Sequence, residues 1–268
     1  MTGHRARRRF GQNFLHDPAV IRRLVTAIDP RPGEPIVEIG PGQGALSAPL
    51  LQAGAVLTAV ELDRDLIEPL EATLAGLGPA RVHQADALEL DLASCHHGQN
   101  LRVVGNLPYN VATPLLFHLF EQADRIRDIH VMLQREVVDR MVAQPGTRTY
   151  GRLSVMTQHH CHAERLFTVA RGAFRPAPKV TSAVVRLTPR PDAAPGSQAT
   201  AALSRVVARA FSQRRKTLRN TLGEWFSDND LAACGVDPGQ RAEALDLQQY
   251  RCLAAHPSHT PDDEPVQR

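Results

Sequence analysis

The stretch Pro35-Ile36-Val37-Glu38-Ile39-Gly40-Pro41-Gly42-Gln43-Gly44 decides the fold. A short apolar run leads directly into three glycines spaced two apart, and Ala45 to Ala53 then reads as a helix that Gly54 stops. This is strand, glycine turn, helix. The alternation continues downstream. Val56 to Val60 is a strand ending at Glu61, with a helix over 66–77, and Arg81 to Ala85 is a third strand ending at Asp86. Leu101 to Gly105 is a fourth, ending at Asn106, with a helix from Pro114 to Ala123, and Ile129 to Leu133 is a fifth. Strands alternating with helices predict a parallel sheet covered on both faces. Two later runs, Leu153 to Thr157 and Ala183 to Leu187, complete seven strands in this reading.

The 268 residues suffice for one large domain and a small one. PRPDAAPGSQAT (189–200) has the prolines and small polar residues of a linker. The expected organisation is a catalytic domain with an N-terminal extension over 1–190, a linker over 191–200, a helical domain over 201–255 and a disordered tail over 256–268. Leu203 to Leu222 reads as one helix, with Val207, Phe211, Leu218 and Leu222 on one face. Arg205, Arg209, Ser212, Lys216 and Arg219 share the opposite face.

A formal net charge of +3 hides an asymmetry. Arg165 to Gly223 carries twelve Lys or Arg against one acid, Asp192, whereas Glu224 to Arg268 carries nine acids against three bases. The basic segment suggests a polyanionic partner. The acidic block has no evident use in binding RNA and is expected to fold against the basic helix. The opening MTGHRARRRFGQNF lacks the apolar core of a signal peptide, and no apolar run approaches membrane-spanning length. Cys95, Cys161, Cys234 and Cys252 stand far apart without a CxxC pair and read as isolated thiols of a reducing compartment. A soluble, cytoplasmic, monomeric protein is expected, with no membrane partner. His159-His160-Cys161-His162 invites a metal reading, but on an extended segment these side chains alternate between faces and three ligands do not converge. No metal is expected.

In an open parallel sheet the ligand lies outside the carboxyl ends of the strands, so Gly40 to Gly44, Glu61, Asp86 and Asn106 are read together. The glycines let backbone approach a nucleotide-like cofactor. Glu61, 21 residues after Gly40, is placed to take the ribose hydroxyls. Two cofactors compete here. The pattern GxGxxG, with Ala45 as its third small residue, permits a nicotinamide dinucleotide. S-adenosylmethionine explains more residues, because Asp86 can then accept from the adenine amino group and Asn106-Leu107-Pro108-Tyr109 acquires a use.

That last segment suits methylation of an exocyclic adenine amine, whose lone pair is delocalised into the ring. Asn106 Oδ1 and the Leu107 carbonyl can accept the two N–H bonds, aim the amine at a methyl sulfonium and stabilise positive charge as it develops. Pro108 fixes the turn, and Tyr109 offers a face on which a flipped base stacks. Proximity and orientation then suffice, with no covalent nucleophile.

These blocks resemble a known family. Arg9-Phe10-Gly11-Gln12-Asn13-Phe14-Leu15, VEIGPGQGALS (37–47), ELD (61–63), ADAL (85–88), GNLPYNVATPLLFHL (105–119), MLQREVVDRM (132–141), YGRLSVMTQ (150–158), FRPAPKVTSAVVRL (174–187) and FSQRRKTLRNTL (211–222) are similar to the small-subunit ribosomal RNA adenine dimethyltransferases of the KsgA/RsmA type. The resemblance implies a class I methyltransferase α/β fold, a Rossmann-like, seven-stranded and mainly parallel sheet, followed by a small helical domain. It implies S-adenosylmethionine as donor and two adjacent adenosines in the 3′-terminal hairpin of 16S rRNA, within the 30S subunit or its precursor, as acceptor. It sets Asn13, Leu15, Gly40, Glu61, Asp86 and Asn106 against the donor, Asn106, Leu107 and Tyr109 at the target adenine, and Phe174 stacked on that adenine's other side. Arg214, Arg215, Lys216 and Arg219 are then phosphate contacts, which position RNA without reading its sequence. Arg214 falls near the apolar face of the expected helix and suits an ion pair as well. Two alternatives remain at this level: an Erm-type 23S rRNA adenine methyltransferase, and a ribosome-assembly binding factor whose catalysis is dispensable.

Overall fold

The structure, a computed structural model, describes residues 12–96, 100–193 and 197–257. The chain begins with β1 (Phe14–Leu15) and α1 (Pro18–Ile28), whose start is set by Asp17 Oδ1 accepting from the Ala19 amide at 2.8 Å. Strand–helix units follow: β2 (Pro35–Ile39), α2 (Ser47–Gln52), β3 (Val56–Glu61), α3 (Arg64–Leu74), β4 (Ala80–Gln84), α4 (Leu92–Cys95), β5 (Leu101–Asn106), α5 (Ala112–Phe120) and β6 (Ile126–Gln134). After α6 (Arg135–Met141) and α7 (Arg152–His160) come β7 (Cys161–Val169), β8 (Phe174–Arg175) and β9 (Ser182–Pro189). The last elements are α8 (Gln198–Ala210), α9 (Leu218–Leu222), α10 (Asp228–Ala233) and α11 (Leu247–Ala255).

Seven strands form one sheet in the order β4-β3-β2-β5-β6-β9-β7. The first five are parallel and β9 runs antiparallel to β6. Val37, Ile39, Val103, Val104, Val131 and Leu133 are all buried, as expected of parallel strands covered on both faces. The chain leaves β2 toward β3 and β4, then returns to β5 on the other side of β2. That reversal of winding opens a crevice at the carboxyl ends of β2 and β5. Gly105 permits the close approach of these strands, because a Cβ there would overlap the Ile39 carbonyl oxygen. At the opposite end of the same strands the buried Arg102 donates to both Asp128 oxygens at 2.9 Å and to Glu34 at 3.0 Å, tying β5 to β6 and to the lead-in of β2. Burial alone would raise the Asp128 carboxyl, but His130 and Arg102 bring it down to about 2.

The chain divides into two compact units. The first holds the described residues up to Val138 together with Glu164–Pro189; the second holds Asp139–Ala163 and the described residues from Arg190 onward. The catalytic domain expected over 1–190 therefore lacks residues 139–163, which pack with the C-terminal helices. Of the expected linker, Ala193 is buried and Asp192 pairs with Arg251 at 2.7 Å; 194–196 lie outside the described residues, as does the tail beyond Pro257.

Three expectations are corrected. The run Leu153 to Thr157 lies in α7, and the seventh strand is β7 just after it. A short apolar run does not distinguish a strand from a buried helix, and Ser154 Oγ, accepting from the Gly151 amide at 3.0 Å, helps start the helix. The helix expected over 203–222 breaks into α8, a 3-10 turn at Phe211–Gln213 and α9, with Ser212 Oγ bonding the Arg209 carbonyl at 2.7 Å. Cys234 and Cys252 are not isolated thiols but a disulfide, with Cα atoms 5.6 Å apart. The fold brings together residues 18 apart at the end of α10 and within α11, which no CxxC spacing reveals. Cys95 and Cys161 are free. Among the described residues no helix is long and apolar enough to cross a membrane.

Candidate active site

The carboxyl ends of β2, β3, β4 and β5 open onto a cavity of about 370 Å³. Asn13, Leu15, Gly40, Glu61, Asp86, Asn106, Leu107 and Tyr109 all line it. The four strand-end positions read from the sequence converge because each ends a neighbouring strand of one parallel sheet. Gly40 and Gly42 hold φ of 66° and 57°, the left-handed region open to glycine, and a Cβ on Gly42 would meet the Phe14 ring at 3.0 Å.

Asn13 and Leu15 come from a segment that composition alone reads as a lead-in to a helix. They reach the cavity because β1 pairs antiparallel with β8, Leu15 opposite Phe174, while the His16 amide bonds the Ala173 carbonyl at 2.9 Å. Gln12 Nε2 adds a bond to Asp63 Oδ2 at 2.8 Å. No spacing rule signals a two-residue strand, so only the family resemblance could find these positions.

Glu61 is anchored by backbone on both oxygens, Oε2 accepting from the Gly42 amide at 3.1 Å and Oε1 from the Asp63 amide at 2.9 Å. Burial raises its carboxyl above the ordinary range, and these amide bonds oppose that rise. Asp86 Oδ1 accepts from the Leu88 amide at 2.9 Å, which fixes the side chain at the rim past β4. Glu38, the acid two residues before Gly40, lines the cavity at 2 % exposure, and its Oε2 has no hydrogen-bond partner. Burial pushes it up to about 7, only partly offset by the adjacent Ser47 hydroxyl.

Asn106 Nδ2 donates to the Asn13 carbonyl at 2.8 Å. With its amino group committed there, Oδ1 is the end left for an incoming N–H. The Leu107 amide bonds the Met132 carbonyl at 3.2 Å, so the turn after β5 is tied to β6. Tyr109 OH lies 2.6 Å from Ser182 Oγ on β9, an anchor that the sequence did not announce, and burial raises its phenol. The residue is half-buried and lines the cavity.

Phe174 is not part of this cavity. At 2 % exposure it packs in the core with Leu15, Leu24 and Val184. The basic quartet in the second unit also divides. Arg214 Nε bonds Glu243 at 3.2 Å and its Nη2 the Arg148 carbonyl, while Arg219 Nη2 pairs with Asp228 at 2.6 Å. Arg215 and Lys216 are exposed and form no ion pair with a described residue. The acidic block thus folds against the basic segment, with Arg209 paired to Glu224 as a third link. His159 is engaged by Thr200 Oγ1 at 3.1 Å and Arg251 Nε at 3.2 Å, and no group of three metal-ligating side chains occurs among the described residues.

Comparison with known proteins follows this geometry. Residues 3–255 match the family described as Ribosomal RNA adenine dimethylase. The Ribosomal RNA small subunit methyltransferase A of Aromatoleum aromaticum is 56% identical over 93% of each chain, and that of Pseudomonas aeruginosa 54% identical over 94% of each. Among solved structures, a dimethyladenosine transferase from Plasmodium falciparum superposes with a TM-score of 0.78 at 22% identity, covering 90% of this chain and 95% of that one. The 23S rRNA methyltransferase ErmE superposes at 0.71 with 27% identity, covering 90% and 98%. The parallel α/β sheet expected from the strand–glycine–helix opening, and the methyltransferase fold that the family resemblance implied, are therefore met. Matched over nearly its whole length, and more than half identical to these enzymes, the chain belongs to the ribosomal RNA adenine dimethylase family and is an S-adenosylmethionine-dependent methyltransferase.

Proposed function

We propose that the protein methylates N6 of two adjacent adenosines in the 3′-terminal hairpin of 16S rRNA, acting as a cytoplasmic monomer on the 30S subunit or its precursor. The orientation of Asn106 carries this reading: its amino group is held by Asn13 and its carbonyl oxygen is left for the target amine. When bound, the donor supplies an electrophilic methyl on a sulfonium. Everything else is positioning by the chain. Asp86 takes the donor's adenine amino group and Glu61 its ribose hydroxyls, while Gly40 admits the ligand close to backbone and Asn13 and Leu15 close the near side. The residues suit such a ligand, since Glu61 is buried and fixed by two amides.

On the acceptor side, Asn106 Oδ1 and the Leu107 carbonyl accept the two N–H bonds of the target amine. Those bonds direct the nitrogen lone pair toward the methyl and strengthen as the nitrogen becomes positive, so they stabilise the transition state more than the ground state. Tyr109, anchored through Ser182, stacks on the flipped base. Arg215 and Lys216 are the phosphate contacts of the second unit, with Arg214 and Arg219 secondary because acids already hold them.

The test is incubation with labelled S-adenosylmethionine and, separately, 30S and 50S particles from a strain lacking adenine dimethylation. Label in the 3′-terminal hairpin of 16S rRNA is the expected outcome. Label in 23S rRNA alone overturns the choice of substrate, and no label in either, with 30S binding retained, assigns the chain to assembly rather than catalysis.

A further inference from the structure

The disulfide between Cys234 and Cys252 closes a loop over residues 235–251, and that loop grips the basic run of the second unit. Inside it, the Gln240 and Pro238 carbonyls accept from the Leu218 and Arg219 amides at 2.8 and 3.0 Å, which holds the first turn of α9. Glu243, also inside, pairs with Arg214 at 3.2 Å, and its carbonyl accepts from the Gly146 amide at 2.7 Å. Just before the loop, Asp228 of α10 pairs with Arg219 at 2.6 Å. The bridge thus ties together the segment that keeps Arg214 and Arg219 on acids.

The two bridged residues differ in access. Cys252 is exposed on α11, whereas Cys234 is 8 % exposed, so exchange with an outside thiol starts at Cys252. In a reducing cytoplasm, the compartment proposed above, the disulfides that do form are usually redox-sensing or catalytic rather than inert staples. A crosslink between residues 18 apart makes opening of the enclosed segment rarer by about 100-fold, through the chain entropy that it removes from the open state.

We propose that Cys234 and Cys252 form a reversible redox site that sets how firmly the acidic segment holds Arg214, and so how much of the basic run is open to a polyanion. The reductant is a dithiol. One of its thiols, as thiolate, attacks Cys252 Sγ; the S–S bond breaks and Cys234 leaves as a thiolate that takes up a proton. The second thiol of the reductant then attacks the reductant's own sulfur in the mixed disulfide and releases Cys252, which is protonated in turn. The protein has gained two electrons and two protons, and the reductant leaves as its disulfide. A disulfide oxidant runs the sequence backwards. In the oxidised protein the loop stays closed and Glu243 keeps Arg214; in the reduced protein the loop opens more often and Arg214 joins Arg215 and Lys216 as a phosphate contact. The inference rests on the reading of the basic run as the RNA contact of the second unit.

The experiment compares the full chain reduced with dithiothreitol and oxidised with glutathione disulfide, the state of the pair being confirmed by mass after alkylation. Hydrogen exchange at the Leu218 and Arg219 amides should speed up by about 10- to 100-fold on reduction. For binding to 30S particles, the slope of log affinity against log salt should steepen by about 1, one added phosphate contact. Arg214→Ala should cancel that steepening, and a protein carrying both Cys234→Ser and Cys252→Ser should behave as the reduced parent in either condition. Unchanged exchange, an unchanged slope, or a response to dithiothreitol that survives without the two cysteines overturns the proposal. So does loss of particle binding on reduction, the mark of an inert staple. Replacing Arg215 and Lys216 by alanine separates the two levels. If the slope is the same as the parent's in either state, the basic run is not the RNA contact and both readings fall; if it drops by about 2 while reduction of the parent changes nothing, only the redox role falls.

Discussion

The strand-end cavity of the first unit and the basic segment Arg214 to Arg219 of the second were both conspicuous in the sequence, yet the structure treats them differently. Residues of the cavity are scattered from Gln12 to Met132 and nevertheless meet, because neighbouring parallel strands deliver their carboxyl ends to one edge. The basic residues are almost consecutive, yet they do not act as one face. The chain breaks the helix at Phe211–Gln213, and Glu243 and Asp228 tie up Arg214 and Arg219. A strand end is located by backbone hydrogen bonds that an offset in sequence predicts. The fate of a charge run depends on which acids later fold against it, and no spacing in the run itself encodes that.

The comparison can be broken first at the seam between β2 and β5. Gly105→Ala pushes a Cβ into the Ile39 carbonyl, a backbone atom with no room to yield, and should cost about 1–3 kcal/mol of stability by thermal melting while weakening donor binding. Arg215→Ala should leave the melting temperature nearly unchanged. A Gly105→Ala protein as stable as the parent contradicts the geometry given for the crevice.

At the acceptor side, Tyr109→Ala should lower methyl-transfer efficiency by about 10- to 100-fold through loss of stacking, whereas Tyr109→Phe, which keeps the ring and loses only the Ser182 bond, should lower it far less. Equal losses in single-turnover assays would mean that the hydroxyl, not the ring face, matters. In the second unit, replacing Arg215 and Lys216 together should reduce the slope of log affinity against log salt by about 2 for particle binding, and Arg214→Ala by less than about 1. The reverse ranking would show that the ion pairs open when RNA binds.

The smallest effect concerns Glu38. Its carboxyl is raised from 4.5 to about 7, so the folded state holds the proton more tightly than the unfolded chain does. Its contribution to stability is therefore fully present below pH 4.5 and is lost as pH rises through about 7. Without donor, Glu38→Gln should flatten that decline and raise the melting temperature at pH 8 by about 2–4 °C relative to the parent, with no gain at pH 4.

Much of the first unit was legible before its structure. The register of apolar runs and glycines located the strand ends, because parallel strands buried on both faces leave little freedom in where Gly40, Glu61, Asp86 and Asn106 must lie. What stayed hidden depends on contacts between distant segments. Ser182 reaches Tyr109 from 73 residues away. His130 sits in an apolar strand where alternation alone does not say which face meets the cavity. Phe174 was expected at the target base and lies instead in the core beside Leu15, because β8 pairs with β1. The strand expected at 153–157 failed for a related reason: helix and strand bury a five-residue apolar run equally well, and the choice is made by what surrounds it.

The division of labour between the two regions is tested most directly by Asn106→Ala, measured twice on the same 30S particles from a strain lacking adenine dimethylation. The account predicts that particle binding stays within about twofold of the parent while methyl transfer falls by about 100- to 1000-fold, the loss typical of removing one group that stabilises developing charge. Binding and transfer lost in equal proportion, or transfer left intact, would contradict it.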